Sequence, residues 1–298
     1  MVHCVARIDL YRGDGTVGPE TDADTLKSPE PDVQDGEEPI HVYHLFNHEV
    51  LVADGDSALS NTGWRTWAGS WMLAKYLESR LASTSRSLRV LDLSCGTGLL
   101  GISLACAGHQ VLLCDLDINV ATVRANIARN SHVLKPIRVA GESRPQARAS
   151  VVEYAWGRIL PEEMCQAFDI VACGDLLHHV WSGRLQTEFL HTLQEIFRHG
   201  AEEFLFGFQV RSSRQEQQVL DTIRRRLHLV MEELGFAVDD AAESPLAPNM
   251  KYRLVRLRRP LPSEEVHDDC YVSSEHCCLE IKDAAGCEGV RPQELAGA

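Results

Sequence analysis

The chain has 298 residues, 44% of them apolar, which is enough for one sizeable globular domain with extensions. It contains no run of about 18 apolar residues, and this argues against a membrane span. The first residues show neither an apolar signal core nor an Arg-rich amphipathic pattern, so we expect a cytoplasmic protein, with the nucleus as an alternative. The ten cysteines are irregularly spaced without a CxxC pair, which argues against a disulfide framework and predicts no metal site.

The net charge of −14 is concentrated at the two ends of the chain. Residues 1–39 contain 10 acidic and 3 basic residues, and residues 260–298 contain 9 acidic and 2 basic residues. We therefore predict one folded domain over residues 40–259, between an acidic N-terminal extension and an acidic, Cys-containing C-terminal tail, both largely disordered. The lack of a basic surface disfavours nucleic acid as a partner.

The predicted elements begin with a β-hairpin around Asn47 and a helix over residues 64–81 with apolar residues at helical spacing. Strands and helices then alternate, which predicts an α/β fold with a mostly parallel sheet covered by helices on both faces. In order, these elements are strand 89–93, helix 98–107, strand 110–115, helix 117–130, strand 150–156, strand 168–175, helix 184–198, strand 203–210, helix 213–234, and a closing antiparallel pair, 235–240 and 251–259.

A glycine loop joins the first of these strands to its helix in the segment LDLSCGTGLLG, with Gly96, Gly98 and Gly101. Glycine allows close backbone approach and positive φ, and the helix N-terminus offers amides to a ligand. No Lys-Ser/Thr pair follows, so a phosphate-binding P-loop is excluded. Asp115, at the end of the next strand, is placed to bind ribose hydroxyls. This spacing alone does not separate a nicotinamide cofactor from S-adenosylmethionine, and a purely structural turn stays an alternative.

Asp92, at the end of the first strand, favours the methyl donor. Its carboxylate would repel a pyrophosphate but suits the ammonium of a methionyl group. The segment LDLSCGTG thus resembles motif I of the class I, or seven-β-strand, methyltransferases, with Ser94 at the first glycine of the usual D-x-G-x-G-x-G pattern.

Three further stretches resemble the seven-β-strand protein-lysine methyltransferases, a family that acts on elongation factors, chaperones and calmodulin. They are TGWRTWAGSWMLAKYLE with Trp67, VEYAWG with Trp156, and FDIVACGDLLHHV with Asp175. Ala155 replaces the usual Asp of the second motif, and His178 lies where the family has tyrosine. The resemblance implies a Rossmann-like seven-stranded sheet with an antiparallel final strand, S-adenosylmethionine as cofactor, a protein substrate, no membrane partner and a monomer.

The resemblance also implies roles for individual residues. Asp175 and His178 are the predicted catalytic residues: Asp175 would position the substrate amine, and the proton would leave through water or His178, which departs from the family pattern. The predicted cofactor-binding residues are Trp67, Asp92, Ser94, Gly96, Gly98, Asp115, Trp156 and Asp175.

Several alternatives stay open at this stage. Trp67 and Trp156 also fit simple core packing, and Asn126 and Asn130, one helical turn apart, fit helix packing or termination. For the whole protein, the alternatives are a small-molecule or protein-histidine N-methyltransferase of the same fold, and a degenerate, non-catalytic cofactor-binding or interaction domain. A dehydrogenase is disfavoured by Asp92.

Overall fold

The computed structural model of the protein describes residues 39–56, 62–134, 148–235, 250–261 and 264. Its strands are β1 (Ile40–Leu45), β2 (His48–Ala53), β3 (Arg89–Leu93), β4 (Gln110–Asp115), β5 (Ala149–Glu153), β6 (Ile170–Gly174), β7 (Glu203–Gln209), β8 (Val230–Glu233) and β9 (Tyr252–Arg258). Its helices are α1 (Ala68–Leu81), α2 (Leu99–Cys106), α3 (Asp117–Arg129), α4 (Leu177–Ser182), α5 (Gln186–Arg198) and α6 (Ser213–Leu227), with a 3-10 turn at Glu162–Met164.

Seven of the strands form one sheet in the order β5-β4-β3-β6-β7-β9-β8. Strands β3 to β7 pair in parallel, and β9 runs antiparallel to both of its neighbours. The predicted α/β class, the seven-stranded sheet and its antiparallel strand are therefore confirmed.

Both faces of the sheet are covered, which explains why its central strands are continuous apolar runs. Successive residues of β3 point to opposite faces: Val90 packs in the core layer formed with the hairpin and helices α1 to α3, and Leu91 packs in the layer formed with α4 to α6. All residues of both strands β3 and β4 except the first of each are buried.

The predicted hairpin is present as β1 and β2, paired from Ile40 opposite Ala53 to Leu45 opposite His48. Its two turn residues, Phe46 and Asn47, have φ of 53° and 58°, the positive values of a type I′ turn. This two-residue turn matches the twist of the paired strands, so it fixes their register.

The predicted helix boundaries are wrong at two places. Helix α1 begins at Ala68, and not at residue 64. The predicted helix 213–234 ends at Leu227, because His228 adopts a left-handed φ of 52° and reverses the chain, and Val230–Glu233 is strand β8. β8 thus takes the place in the pair with β9 that was predicted for residues 235–240, of which only Gly235 is described.

The short helix α4 was not predicted, since its six residues are too few to show a period. Within the described ranges, no helix is long and apolar enough to cross a bilayer. The two predicted acidic extensions, residues 1–39 and 260–298, lie outside the described residues except for 39, 260, 261 and 264. Every cysteine of the C-terminal tail is among those not described.

Candidate active site

Most of the predicted site residues lie at the carboxyl ends of three adjacent strands, β4, β3 and β6, whereas Trp67 precedes α1 and Trp156 follows β5. Asp92 pairs in register with Leu113 of β4 and Ala172 of β6, so the loops that follow these strands leave the sheet side by side. In open α/β sheets this edge is where ligands bind. The candidate active site is therefore the crevice over these strand ends.

The loop between β3 and α2 has left-handed backbone at every second residue. Ser94, Gly96 and Gly98 have φ of 60°, 57° and 87°. A Cβ at Gly98 would lie 3.1 Å from a methyl carbon of Leu113, so a larger residue is disfavoured by both space and conformation. Ser94 is the one non-glycine residue of the three, and the left-handed conformation destabilises an L-residue by roughly 1–2 kcal/mol.

Asp115, the last residue of β4, fixes this loop. Its carboxylate accepts hydrogen bonds from the Gly96 N–H at 2.7 Å, the Leu116 N–H at 2.8 Å and the Asn119 side-chain amide at 2.7 Å. Burial raises the pKa of this carboxyl above its ordinary value, and these donors oppose the increase. A carboxylate has about four lone-pair sites, so one remains for a ligand hydroxyl. The predicted contact with a ribose stays a prediction.

Asp92 lies under the same loop, 2% exposed. One carboxylate oxygen accepts the N–H of Gly101, in the first turn of α2, at 2.8 Å. Burial raises the pKa of Asp92 to about 7, against this hydrogen bond. A cation at this position would favour the ionised form, so the site is electrostatically suited to the ammonium that the sequence analysis assigned to it.

Asn126 and Asn130, whose role the sequence did not decide, connect the hairpin to the site. The Asn126 side chain accepts the Ala53 N–H and donates to the carbonyls of Ala53 and Thr97, each at 2.9 Å. Asn130 makes the same pair of bonds with Leu51, two residues earlier on β2. The two side-chain amides therefore pair with the backbone of β2 as a neighbouring strand would, and Asn126 also bonds to the glycine loop at Thr97.

Trp156, in the loop after β5, is half-buried beside motif I. Its indole N–H donates to the Ser94 hydroxyl at 3.0 Å, and its ring packs on Phe189 with centroids 4.7 Å apart. The next residue, Gly157, has a φ of 78° and donates its N–H to Thr192. Trp156 therefore packs against the core on one side, while part of it remains exposed beside the glycine loop.

Trp67 immediately precedes α1 on the other side of the crevice. Its indole N–H donates to the Thr62 carbonyl at 2.6 Å, and the guanidinium groups of Arg65 and Arg211 lie 4.7 and 5.7 Å from its ring centroid. Cations within about 6 Å of an indole face are attracted to it. Trp67 is therefore part of a positively charged rim, and no sequence signal pointed to either arginine.

Asp175 follows β6 with a φ of 56° and is 5% exposed. Its carboxylate accepts the Gly69 N–H at 2.6 Å and the Gln209 N–H at 2.9 Å, and it pairs with Arg211 at 3.1 Å. It therefore ties the first turn of α1 to the end of β7. All of these partners belong to the chain itself, so its predicted contact with a substrate amine stays a prediction.

His178 lies in the first turn of α4, three residues after Asp175. Its Nδ1 is buried without a hydrogen-bond partner among the described residues, and its ring meets the edge of Trp181 with centroids 4.9 Å apart. Burial, together with the charge of Arg211, lowers the pKa of His178. The neutral imidazole is thus favoured.

The residues present fit S-adenosylmethionine better than a dinucleotide. The glycine loop allows close backbone approach, while Asp92 and Asp115 place two carboxylates beside it, which suits an ammonium and ribose hydroxyls and opposes a diphosphate. Among the described residues, no cluster of three or more His, Cys, Asp or Glu side chains is arranged to hold a metal ion.

Comparison with known proteins agrees with this geometry. Residues 47–226 match the family model described as lysine methyltransferase. The fold and site thus define a class I methyltransferase domain. The chain belongs to the lysine methyltransferase family, as the resemblance of its motifs predicted, and S-adenosylmethionine is the cofactor of this domain.

Two curated relatives and one solved structure illustrate the likeness. The chain is 32% identical over 151 residues to protein N-lysine methyltransferase METTL21A of Xenopus tropicalis, covering 50% of this chain and 63% of the relative. It is 25% identical over 134 residues to the EEF1A lysine methyltransferase 3 of Mus musculus, covering 44% and 50%. The T. thermophilus 16S rRNA methyltransferase RsmC superposes with a TM-score of 0.50 at 17% identity, over 74% of this chain and 50% of that one, which supports the fold. The chain therefore spans between half and two thirds of the length of the curated relatives it matches.

Proposed function

We propose that the protein transfers a methyl group from S-adenosylmethionine to a lysine side chain of a protein substrate. The observation that supports the proposal is the crevice itself: in a chain that matches the family model, Asp115 accepts the Gly96 N–H of the glycine loop, and Asp92 accepts the Gly101 N–H of the helix that follows. Both curated relatives described above are lysine methyltransferases by name, which supports this acceptor over others.

The chain's own residues are assigned distinct tasks in binding. The Asp92 carboxylate receives the ammonium of the cofactor, Asp115 receives its ribose, and Trp156 lies against its adenine. The bound cofactor supplies an electrophilic methyl group. The protein's main contribution is then to align the nucleophile with it for in-line displacement.

A lysine acceptor must also lose its proton. With an ordinary pKa of about 10.4, roughly one lysine in a thousand is neutral near pH 7.4, which corresponds to about 4 kcal/mol. Desolvation beside the cationic sulfonium would lower the lysine pKa, and so would the charge of Arg65 beside Trp67. The charge of Arg211 is compensated by Asp175. We assign the proton to the His178 imidazole, directly or through water; burial lowers its pKa and keeps it neutral. Asp175 keeps Arg211 in position and orients the amine.

The experiment is to incubate the purified protein with isotopically labelled S-adenosylmethionine and a protein extract, and to map the label by mass spectrometry. Label on lysine in the wild type, but not in Asp115→Asn, supports the proposal. The matched control is Asp117→Ala, an exposed acid at the start of α3, which should label normally. Thermal unfolding of each variant checks that it is folded.

Other outcomes identify the alternatives. Label on histidine or on small molecules would show a different acceptor class, and cofactor binding without any transfer would show a non-catalytic domain. A monomeric state, a cytoplasmic or nuclear location, and the lack of nucleic-acid and membrane partners stay predictions.

A further inference from the structure

Ser94 combines a strained backbone with a side-chain hydrogen bond that glycine would lack. It occupies a glycine position of motif I with a φ of 60°, where glycine would be free of strain. Its hydroxyl accepts the indole N–H of Trp156, which lies 62 residues later in the chain, at 3.0 Å. A serine in place of glycine therefore strains the backbone at this position, and it adds one hydrogen bond, to Trp156.

The other contacts that the structure describes for the Trp156 ring are apolar. Phe189 packs against the indole at an interplanar angle of 56°, which is apolar contact and not directional. The backbone after it is held by the Gly157 N–H donating to Thr192 at 2.9 Å. Among the described residues, the bond to Ser94 is the hydrogen bond that the indole makes, so it limits rotation of the ring about its side-chain bonds.

We infer that Ser94 is a positioning residue: its hydroxyl fixes the plane of Trp156 so that the indole presents a preformed surface to the adenine of the cofactor. The inference rests on the proposed function, specifically on adenine lying against Trp156. A preformed surface avoids the ordering of a rotamer-rich side chain on binding, so the hydrogen bond is expressed as cofactor affinity.

The test uses Ser94→Gly and Ser94→Ala, with binding of S-adenosylmethionine and of S-adenosylhomocysteine measured by calorimetry. Both variants lose the hydrogen bond and Ser94→Gly alone also relieves the backbone strain, so without ligand the melting temperature of Ser94→Gly should exceed that of Ser94→Ala by about 2–4 °C. In Ser94→Gly the Kd should increase roughly fivefold, the effect of one lost hydrogen bond. Ser94→Ala keeps the strain and loses the bond, so its Kd should increase equally without the gain in stability. A purely structural role would move stability and affinity in the same direction.

A double-mutant cycle with Trp156→Phe isolates the bond. Phenylalanine retains an aromatic ring beside Phe189 but has no N–H, so Ser94→Ala should not change the Kd further in this background. Without ligand, the fluorescence of Trp156, taken as the difference from Trp156→Phe, should change on Ser94→Ala. Undiminished affinity in Ser94→Gly, or an equal loss in the Trp156→Phe background, would overturn the inference while leaving the proposed function intact. A wild-type protein that does not bind the cofactor would overturn both.

Discussion

The hydrogen bonds of Asn126 predict that the hairpin and the glycine loop are energetically coupled. In Asn126→Ala, the N–H and carbonyl of Ala53 and the carbonyl of Thr97 each lose a partner at 2.9 Å. The side chain is fully buried, so water replaces these bonds poorly. At about 1 kcal/mol for each bond, the loss is about 3 kcal/mol of unfolding free energy, or about 6–12 °C in melting temperature.

Asn130→Ala is the matched control for this prediction. Asn130 is also fully buried, and like Asn126 it makes three bonds to backbone groups: the Leu51 N–H at 2.9 Å, the Leu51 carbonyl at 2.7 Å and the Asn126 carbonyl at 2.8 Å. Asn126 in addition accepts a bond at 2.9 Å from the half-buried Arg129. It should therefore destabilise the fold by a similar amount. None of its bonds reaches the glycine loop, so we expect it to leave cofactor affinity nearly unchanged.

The assay combines urea unfolding with calorimetric titration of S-adenosylmethionine. We expect equal losses of stability in the two variants, and a roughly fivefold increase in Kd in Asn126→Ala alone, from the freed Thr97 carbonyl. Equal weakening of binding by Asn130→Ala would refute the specific link through Thr97. A loss below about 1 kcal/mol in Asn126→Ala would refute the claim that these bonds secure the hairpin.

Two further predictions concern the buried carboxylates. Because the pKa of Asp92 is about 7 in the folded protein and near 3.8 when unfolded, its contribution should lower stability by up to about 4 kcal/mol as pH rises from about 4 to 7, and should be constant above that. The difference in urea unfolding free energy between wild type and Asp92→Asn should show this slope, and a pH-independent difference would contradict it. Asp175→Ala leaves the Gly69 and Gln209 N–H groups and the Arg211 guanidinium without their acceptor, so we expect at least about 3 kcal/mol of destabilisation by the same method. A variant of full stability that binds cofactor but transfers no methyl group would instead assign Asp175 to the substrate alone.

The sequence was most informative where a buried strand leads into a glycine loop. The bounds of β3 and β4 agree with the predicted strands, because an uninterrupted apolar run that ends at turn residues defines where a buried strand begins and ends. The prediction failed where the pattern was ambiguous. Val230–Glu233 has two apolar residues followed by two acidic ones, which is compatible with the end of an amphipathic helix, and the left-handed His228 ends α6 just before it.

The sequence predicted the site residues at the strand ends, but not the side-chain contacts that join them to distant elements. Asp92 and Asp115 follow from their distance to the loop, since a strand's length fixes where its carboxyl end lies. Arg211 gave no signal, because its partner Asp175 is 36 residues away and the pairing depends on β6 and β7 being neighbours in the sheet. The bond between Ser94 and Trp156 is of the same kind, a product of topology and not of spacing.

The distribution of backbone strain supports the crevice as the functional region. Six non-glycine residues have positive φ among those that the structure describes, and four of them reverse the chain in the hairpin turn or after a helix. The other two, Ser94 and Asp175, follow the adjacent strands β3 and β6. Each has a side chain bonded to a distant element, Trp156 in one case and Gly69 in the other, which is how such conformations persist. Both residues begin the turn from a strand into the helix that follows, so their strain lies at the edge of the sheet over which the crevice opens, where their side chains connect distant elements.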